Sequence, residues 1–272
     1  MTGVPPLLIA GPTASGKSHY ALERACETAA VIINADSMQV YSDLRVLTAR
    51  PTLAEEAQVP HVMYGHVPSS EAYSVGQWLS DVRKALTAAN AENRRAVIVG
   101  GTGLYFKTLL EGLSPVPHIP SEIRAKWRAA AAADPRDLHR QLHDIDPEMA
   151  AKLQPSDPQR IVRALEVVEA TGKSLAYWQT LPGEPVLAFN DCEAVVIARP
   201  RADLYRRADN RLEAMLEMGA LEEVAALSRL NLDANLPVMR ALGVPQLMQL
   251  ITGEIDRDTA LAEAKLQTRH YI

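Results

Sequence analysis

The 272 residues are 47% hydrophobic and 22% charged, ordinary proportions for a soluble globular protein with a sizeable core in one large or two modest domains. A formal net charge of −5 excludes a globally basic nucleic-acid binder, so any such surface must be a local basic patch. No stretch approaches the roughly 20 apolar residues of a membrane span, and the two cysteines, Cys26 and Cys192, show neither CxxC nor Cys/His spacing for a structural zinc.

In chain order, PPLLIA (5–10) reads as a short buried strand, followed by a glycine-rich turn and the helical SHYALERACETA. The start MTGVPPLLIAGPT has no basic n-region, so no secretory leader is expected and a reduced, cytoplasmic protein is. The turn, GPTASGKS (11–18), matches GxxxxGK[ST]. Its glycines let backbone N–H groups wrap a phosphate, the following helix presents its positive end, Lys17 adds a cation and the Ser18 hydroxyl suits Mg²⁺. The motif says phosphate without saying which: a nucleoside triphosphate, a dinucleotide and an isoprenoid pyrophosphate all fit.

VIINAD (31–36) is a second strand, and a loop-rich section runs from there to about Ser74. Asp36 at that strand's end is a Mg²⁺ ligand, a general base or the N-cap of a helix. Residues 75–92 have helical spacing. AVIVGG (96–101) is a third strand running into a glycine turn that either approaches a ligand closely or simply turns tightly into the helix LYFKTLLEGL. Strands alternating with helices predict an α/β fold with a parallel sheet, its sites beyond the carboxyl ends of the strands.

A proline-rich junction, SPVPHIPS (114–121), opens an alanine-rich helical stretch without a good strand. CEAVVIAR (192–199) returns as a strand, and 203–230 is a long amphipathic helical region broken near Gly219. The expected organisation is an α/β core of residues 1–114 and 191–272 with a helical insertion at 115–190.

Four segments in order, GPTASGKS (11–18), IINADSMQVY (32–41), VGGTGLYFKTLLEGL (99–113) and SDPQRIVRALEVVEATGKS (156–174), strongly resemble the tRNA dimethylallyltransferase, or tRNA isopentenyltransferase, family. The resemblance runs from about residue 7 to the end, and the second and fourth segments are far more specific than the phosphate loop. It implies a P-loop kinase-like parallel sheet with an inserted all-helical domain that grips the anticodon arm of tRNA. The implied donor is dimethylallyl pyrophosphate, the acceptor N6 of the adenosine 3′ of the anticodon, and the cofactor Mg²⁺. The protein is expected to act as a monomer.

Residue by residue, the resemblance implies that Gly11, Thr13, Ala14, Ser15, Gly16, Lys17 and Ser18 hold the pyrophosphate, with Ser18 towards Mg²⁺. Asp36 is the implied general base. Asp36, Ser37, Met38, Gln39, Thr102, Arg124, Gln159, Arg160, Ile161, Val162 and Arg163 are the implied tRNA contacts. Thr13 and Lys17 join Asp36 as catalytic residues, as does an arginine of the 203–230 region. Arg207 and Arg211, four apart on one helix face, are both carried, against the alternative of a solvated face paired with acids such as Asp203. Tyr41 and Tyr105 either stack on the base or belong to the core.

Three features depart from the family pattern. LTARP (47–51) stands where GTAKP is frequent, RALGVPQ (240–246) lacks the aromatic residue often found after its glycine, and the sequence stops at TRHYI where relatives usually continue with a basic and aromatic segment. Two other functions account for part of the sequence. A small-molecule P-loop kinase using ATP explains GPTASGKS and Asp36 but leaves the insertion without a job. A non-catalytic nucleotide- or RNA-binding module leaves a carboxylate beside a phosphate loop unexplained.

Overall fold

The computed structural model describes residues 4–272. Five strands, β1 (Leu7–Ala10), β2 (Ala30–Asn34), β3 (His61–Val62), β4 (Arg95–Gly100) and β5 (Glu193–Val196), run parallel in the order β3-β2-β4-β1-β5. Helices α1 (Lys17–Cys26), α2 (Leu53–Glu56) and α3 (Val75–Ala91) intervene between the first four strands, and α4 (Gly103–Glu111) follows β4. The central strands read LLIA, AVIIN and RAVIVG because both faces are covered, which removes any polar alternation. On one face Ile33 and Ile98 pack with Trp78 and Leu109; on the other Ile9, Ile32 and Val97 pack with Ala21 and Ala25 of α1.

The chain divides into two compact units. The first comprises the described residues up to Leu110 together with Val186–Ile272, and ends in α10 (Arg201–Glu217), α11 (Ala220–Ser228), α12 (Val244–Thr252) and α13 (Arg257–Tyr271). The second, Glu111–Pro185, holds α5 (Ser121–Ala133), α6 (Leu138–Ile145), α7 (Pro147–Ala150), α8 (Pro158–Thr171) and α9 (Leu175–Thr180) around a core that includes Trp127, Leu138, Leu142, Ile161 and Leu165. The crossing points fall a few residues before those the proline-rich junction suggests. Val186 and Leu187 both donate their N–H groups to the Leu109 carbonyl (2.9 and 3.2 Å), which ties the returning chain to the end of α4.

Strand and helix limits shift for local reasons. The second strand stops at Asn34 rather than running to Asp36, because the Asn34 side chain captures the Asp36 N–H (2.8 Å). The last strand ends at Val196, short of Arg199. The section expected to be loop-rich contains the two-residue β3 and the single-turn α2, whose start is a capping box: Thr52 accepts from the Glu55 N–H, and the Glu55 carboxylate accepts from Thr52. The break near Gly219 is a left-handed residue (φ 99°) between α10 and α11.

One glycine fixes how closely adjacent strand ends approach. A Cβ on Gly100 would lie 1.9 Å from the Ala35 carbonyl oxygen, so the ends of β4 and β2 meet at a distance that excludes any side chain. Gly100→Ala is expected to lower the unfolding free energy by about 1–3 kcal/mol, the usual range for forcing a methyl into a filled space. Urea denaturation measures it, and an unchanged midpoint would contradict the close approach.

Candidate active site

Residues 11–16 leave β1 and deliver the chain to α1 at Lys17. Ala14 and Gly16 both adopt left-handed conformations (φ 62° and 96°), and the Ser15 N–H closes a turn onto the Pro12 carbonyl (3.3 Å), so the loop curls at the N-terminus of α1, where an anion finds the positive end of the helix. For Ala14, which has a Cβ, this geometry costs on the order of 1–3 kcal/mol and must be held by its surroundings.

Three arginines hold it. Arg211 donates to the Thr13 hydroxyl, Arg207 Nε donates to the Ala14 carbonyl (2.8 Å), and Arg199 Nε donates to the Ser15 carbonyl (2.7 Å). Arg207 and Arg211 are thus both turned to the loop. The acid named as their alternative partner, Asp203, pairs with Arg206 instead (2.6 Å). Arg199 has no counterpart among the residues singled out from sequence. Its signal was its position just past the last strand, on the edge where the other motifs gather.

Lys17 folds back on the loop, donating to the Pro12 carbonyl (3.2 Å). Burial pulls its pKa below the usual lysine value, an effect opposed by Asp36 and reinforced by Arg211. The Arg211 pKa is lowered first by burial, with Asp36 opposing and Arg207 adding to the shift. Arg211 Nε and Ser15 Oγ are buried and lack hydrogen-bond partners among the described residues. A cavity of about 370 Å³ opens here, lined by Lys17, Ser18, His19, Arg207, Asn210 and Arg211 among others. Its size falls in the range of small-ligand sites.

Asp36 stands beyond the end of β2. No helix follows it, since residues 37–40 form a turn, so the helix-capping alternative falls. Its Oδ1 accepts the Met38 N–H (2.9 Å), and the buried Asn34 side chain fixes its backbone, accepting the Asp36 N–H and donating to the Asp36 and Met63 carbonyls (2.9 and 3.1 Å). The other oxygen, Oδ2, and Lys17 Nζ each lie 3.7 Å from the point where a Cβ on Gly101 would sit. Carboxylate and ammonium thus border one space over the glycine turn after β4. Thr102 joins the two turns, its Oγ1 accepting the Ser37 N–H (3.0 Å).

The remaining positions divide by unit. In the first, Met38 packs against the core, and the Gln39 amide donates to the Thr48 and Ala49 carbonyls (both 2.8 Å), so its nitrogen is engaged within the fold. Arg50 of LTARP donates to the Tyr41 and Ser42 carbonyls (3.3 and 3.2 Å). Tyr41 and Tyr105 are both core: each is buried, Tyr41 OH accepts the Tyr73 N–H (3.4 Å), and Tyr105 stacks on Trp78 with ring centres 4.3 Å apart. Neither has a free face for a nucleobase.

In the second unit, Gln159, Arg160 and Arg163 lie at the start of α8, which Asp157 caps by accepting the Arg160 N–H (3.1 Å). Arg160 is exposed and pairs with Asp157 (3.3 Å), and Arg163 pairs with the buried Glu166 (3.4 Å). Ile161 is fully buried in the core and Val162 packs against it, so the Ile161 side chain offers no surface for tRNA, contrary to the reading of that stretch as continuous contact. Arg124 is half-buried on α5, with its Nε unpartnered among the described residues.

Comparison with known proteins gives a consistent result. Residues 39–272 match the family model described as IPP transferase, and residues 6–64 that described as isopentenyl transferase. The chain is 51% identical over 265 residues to a tRNA dimethylallyltransferase of Bartonella tribocorum, spanning 97% of this chain and 91% of the relative. It is 53% identical over 266 residues to one of Beijerinckia indica, spanning 97% and 88%. Among solved structures, a tRNA isopentenylpyrophosphate transferase from Staphylococcus epidermidis superposes with a TM-score of 0.65 at 28% identity, over 98% of this chain and 87% of that one. A eukaryotic dimethylallyltransferase solved acting on tRNA gives 0.81 at 26% identity, over 99% and 68%.

An anion held at the loop should lose affinity at alkaline pH through Lys17. An anion favours the protonated amine, and burial depresses the pKa, so the charge is lost at a lower pH than in an ordinary lysine. Affinity for inorganic pyrophosphate is expected to fall as pH rises through that depressed pKa. Lys17→Arg, charged throughout, should remove the fall, and calorimetric titration of both forms across pH 7–11 checks it. Because pyrophosphate gains charge over the same range, the readout is the ratio of native to Lys17→Arg affinity, and a ratio that does not change with pH would show that the Lys17 charge does not contribute.

Proposed function

The chain belongs to the tRNA dimethylallyltransferase family, and from that membership we propose that it transfers a dimethylallyl group from dimethylallyl pyrophosphate to N6 of the adenosine 3′ of the anticodon in tRNA. The observation that carries the site-level reading is the pairing of a cation-braced phosphate loop with the carboxylate of Asp36, whose Oδ2 and Lys17 Nζ border one space over Gly101.

The donor's pyrophosphate occupies the concavity of residues 11–18, against the loop N–H groups, Lys17 and the arginines. The unpartnered Arg211 Nε and Ser15 Oγ support an anion there, since buried polar groups ordinarily find partners. Transfer breaks the allylic carbon–oxygen bond, leaves its electron pair on pyrophosphate and forms the carbon–N6 bond. Loop amides, Lys17 and the arginines stabilise the charge that develops on the leaving group. The adenine amine is a weak nucleophile because its lone pair is delocalised into the ring. Asp36 Oδ2 takes its proton, while Oδ1 remains held by Met38. The base must leave its stack to reach the donor, at little cost in a loop that is already single-stranded.

The residues present fit Mg²⁺ of the kind held chiefly by phosphate oxygens and water. The Ser18 hydroxyl lines the cavity, and no cluster of three or more His, Cys, Asp or Glu that could cage a metal occurs among the described residues. Bound there beside Ser18, the ion would neutralise charge on the leaving pyrophosphate.

The helical insertion is proposed to take the anticodon arm through Arg124, Gln159, Arg160 and Arg163, with Ser37, Met38, Gln39 and Thr102 contributing beside the catalytic carboxylate. A tRNA substrate supports a cytoplasmic location.

Radiolabelled dimethylallyl pyrophosphate offered with unmodified tRNA and Mg²⁺, beside an ATP control, tests the reading. Label should pass to tRNA, and ATP hydrolysis at kinase rates without prenyl transfer would refute it. Asp36→Asn keeps an acceptor for the Met38 N–H but removes the base. Single-turnover transfer is expected to fall about 10²–10⁴-fold with donor affinity changed much less; near-normal transfer would end the general-base assignment. On the insertion, the Arg160→Ala/Arg163→Ala double variant should lower the log–log salt slope of tRNA affinity by roughly one unit for each phosphate-binding arginine removed. An unchanged slope and affinity would exclude this pair from the interface.

A further inference from the structure

Arg207 and Arg199 reach the phosphate loop from different places, one on α10 and one just past β5, yet their terminal nitrogens converge. Arg199 Nη2 lies 3.7 Å, and Arg207 Nη2 3.8 Å, from the point over Gly16 where a side chain would begin. Each guanidinium is anchored by its Nε to a loop carbonyl, Arg199 to Ser15 and Arg207 to Ala14. Neither forms an ion pair with a carboxylate among the described residues, although Arg206, on the same helix as Arg207, does. Two like charges turned towards one glycine at a helix N-terminus repel each other and the helix dipole. An anion seated over Gly16 relieves all three, and a guanidinium that spends Nε on the backbone still has its outer N–H groups to offer it.

We propose that Arg199 is a further pyrophosphate-binding residue: Nε braces the Ser15 carbonyl while Nη2, beside that of Arg207, takes a phosphate oxygen over Gly16. The inference rests on the reading that this loop holds a pyrophosphate. It gives the site a cation that is independent of α10 and of Lys17. It also makes the product pyrophosphate, which keeps the full charge after transfer, the ligand most sensitive to Arg199.

The test measures inorganic pyrophosphate affinity and its salt dependence, with donor KM and kcat for transfer, in the native chain and in Arg199→Ala, Arg199→Gln and Arg199→Lys. Arg206→Ala serves as the control, since it removes one exposed positive charge nearby from a residue paired with Asp203 and outside the site. Arg199→Ala should weaken pyrophosphate binding about tenfold, the scale of one solvent-exposed charge-assisted hydrogen bond, and flatten its salt dependence. Donor KM should rise more than kcat falls. Arg199→Lys should recover part of the loss and Arg199→Gln little, because glutamine can brace a carbonyl but carries no charge. Native affinity in Arg199→Ala, or full recovery by Arg199→Gln with native salt dependence, would overturn the proposal, the latter leaving only a brace. Thermal melting of each variant separates these outcomes from unfolding. If the native chain binds pyrophosphate and transfers the prenyl group while the Arg199 variants match it, this inference alone fails. If the native chain does neither, the reading of the site fails with it.

Discussion

A loop curled through left-handed turns at a helix N-terminus leaves carbonyls and a hydroxyl that need donors of their own, and in this protein arginines supply them. Thr13, Ala14 and Ser15, three successive residues, are each taken by a different guanidinium. The strained left-handed Ala14 is held in place through its own carbonyl, so the conformation that makes the concavity and the charge that fills it come from the same side chains. This couples shape to electrostatics.

The rest of the site follows from strand order. β2, β4 and β1 are neighbours, so the turns that leave them converge: the Asp36 turn, the Gly100–Gly103 turn and the phosphate loop. Gly100 permits backbone contact with Ala35, Gly101 leaves room for Asp36 and Lys17 to face one space, and Thr102 bonds the first turn to the second. Asn34 completes the arrangement from below, spending a buried amide on the backbone around Asp36. A carboxylate so constrained has one oxygen committed to the Met38 N–H and the other beside the space over Gly101.

Much of this was legible in the sequence. Period and glycine punctuation give four of the strands and the helices around them, because buried parallel strands are short apolar runs that end at turns. Lys17, Asp36 and Thr102 could be named because they sit inside local motifs. Other features rest on contacts between distant residues and leave no local trace. Arg199 meets Ser15 across 184 positions, and its own neighbourhood reads only as the tail of a strand. The two-residue β3 is too short to show a period. Ile161 and the tyrosines illustrate the reverse case: a motif names positions without distinguishing side chains that face outward from those that hold the motif in place.

The hydrogen bonds from Val186 and Leu187 to Leu109 bear on how the chain folds. They bring the two ends of the intervening helical segment side by side, so from the α/β unit's point of view that whole segment is a loop with closed ends. The entropy of closing such a loop grows only with the logarithm of its length, which makes a long insertion here thermodynamically cheap. The cost is kinetic: β1 must pair with β5 across the entire intervening chain, raising the contact order of the sheet's last step. Joining Leu110 to Val186 by a short turn would shorten that search without disturbing a strand.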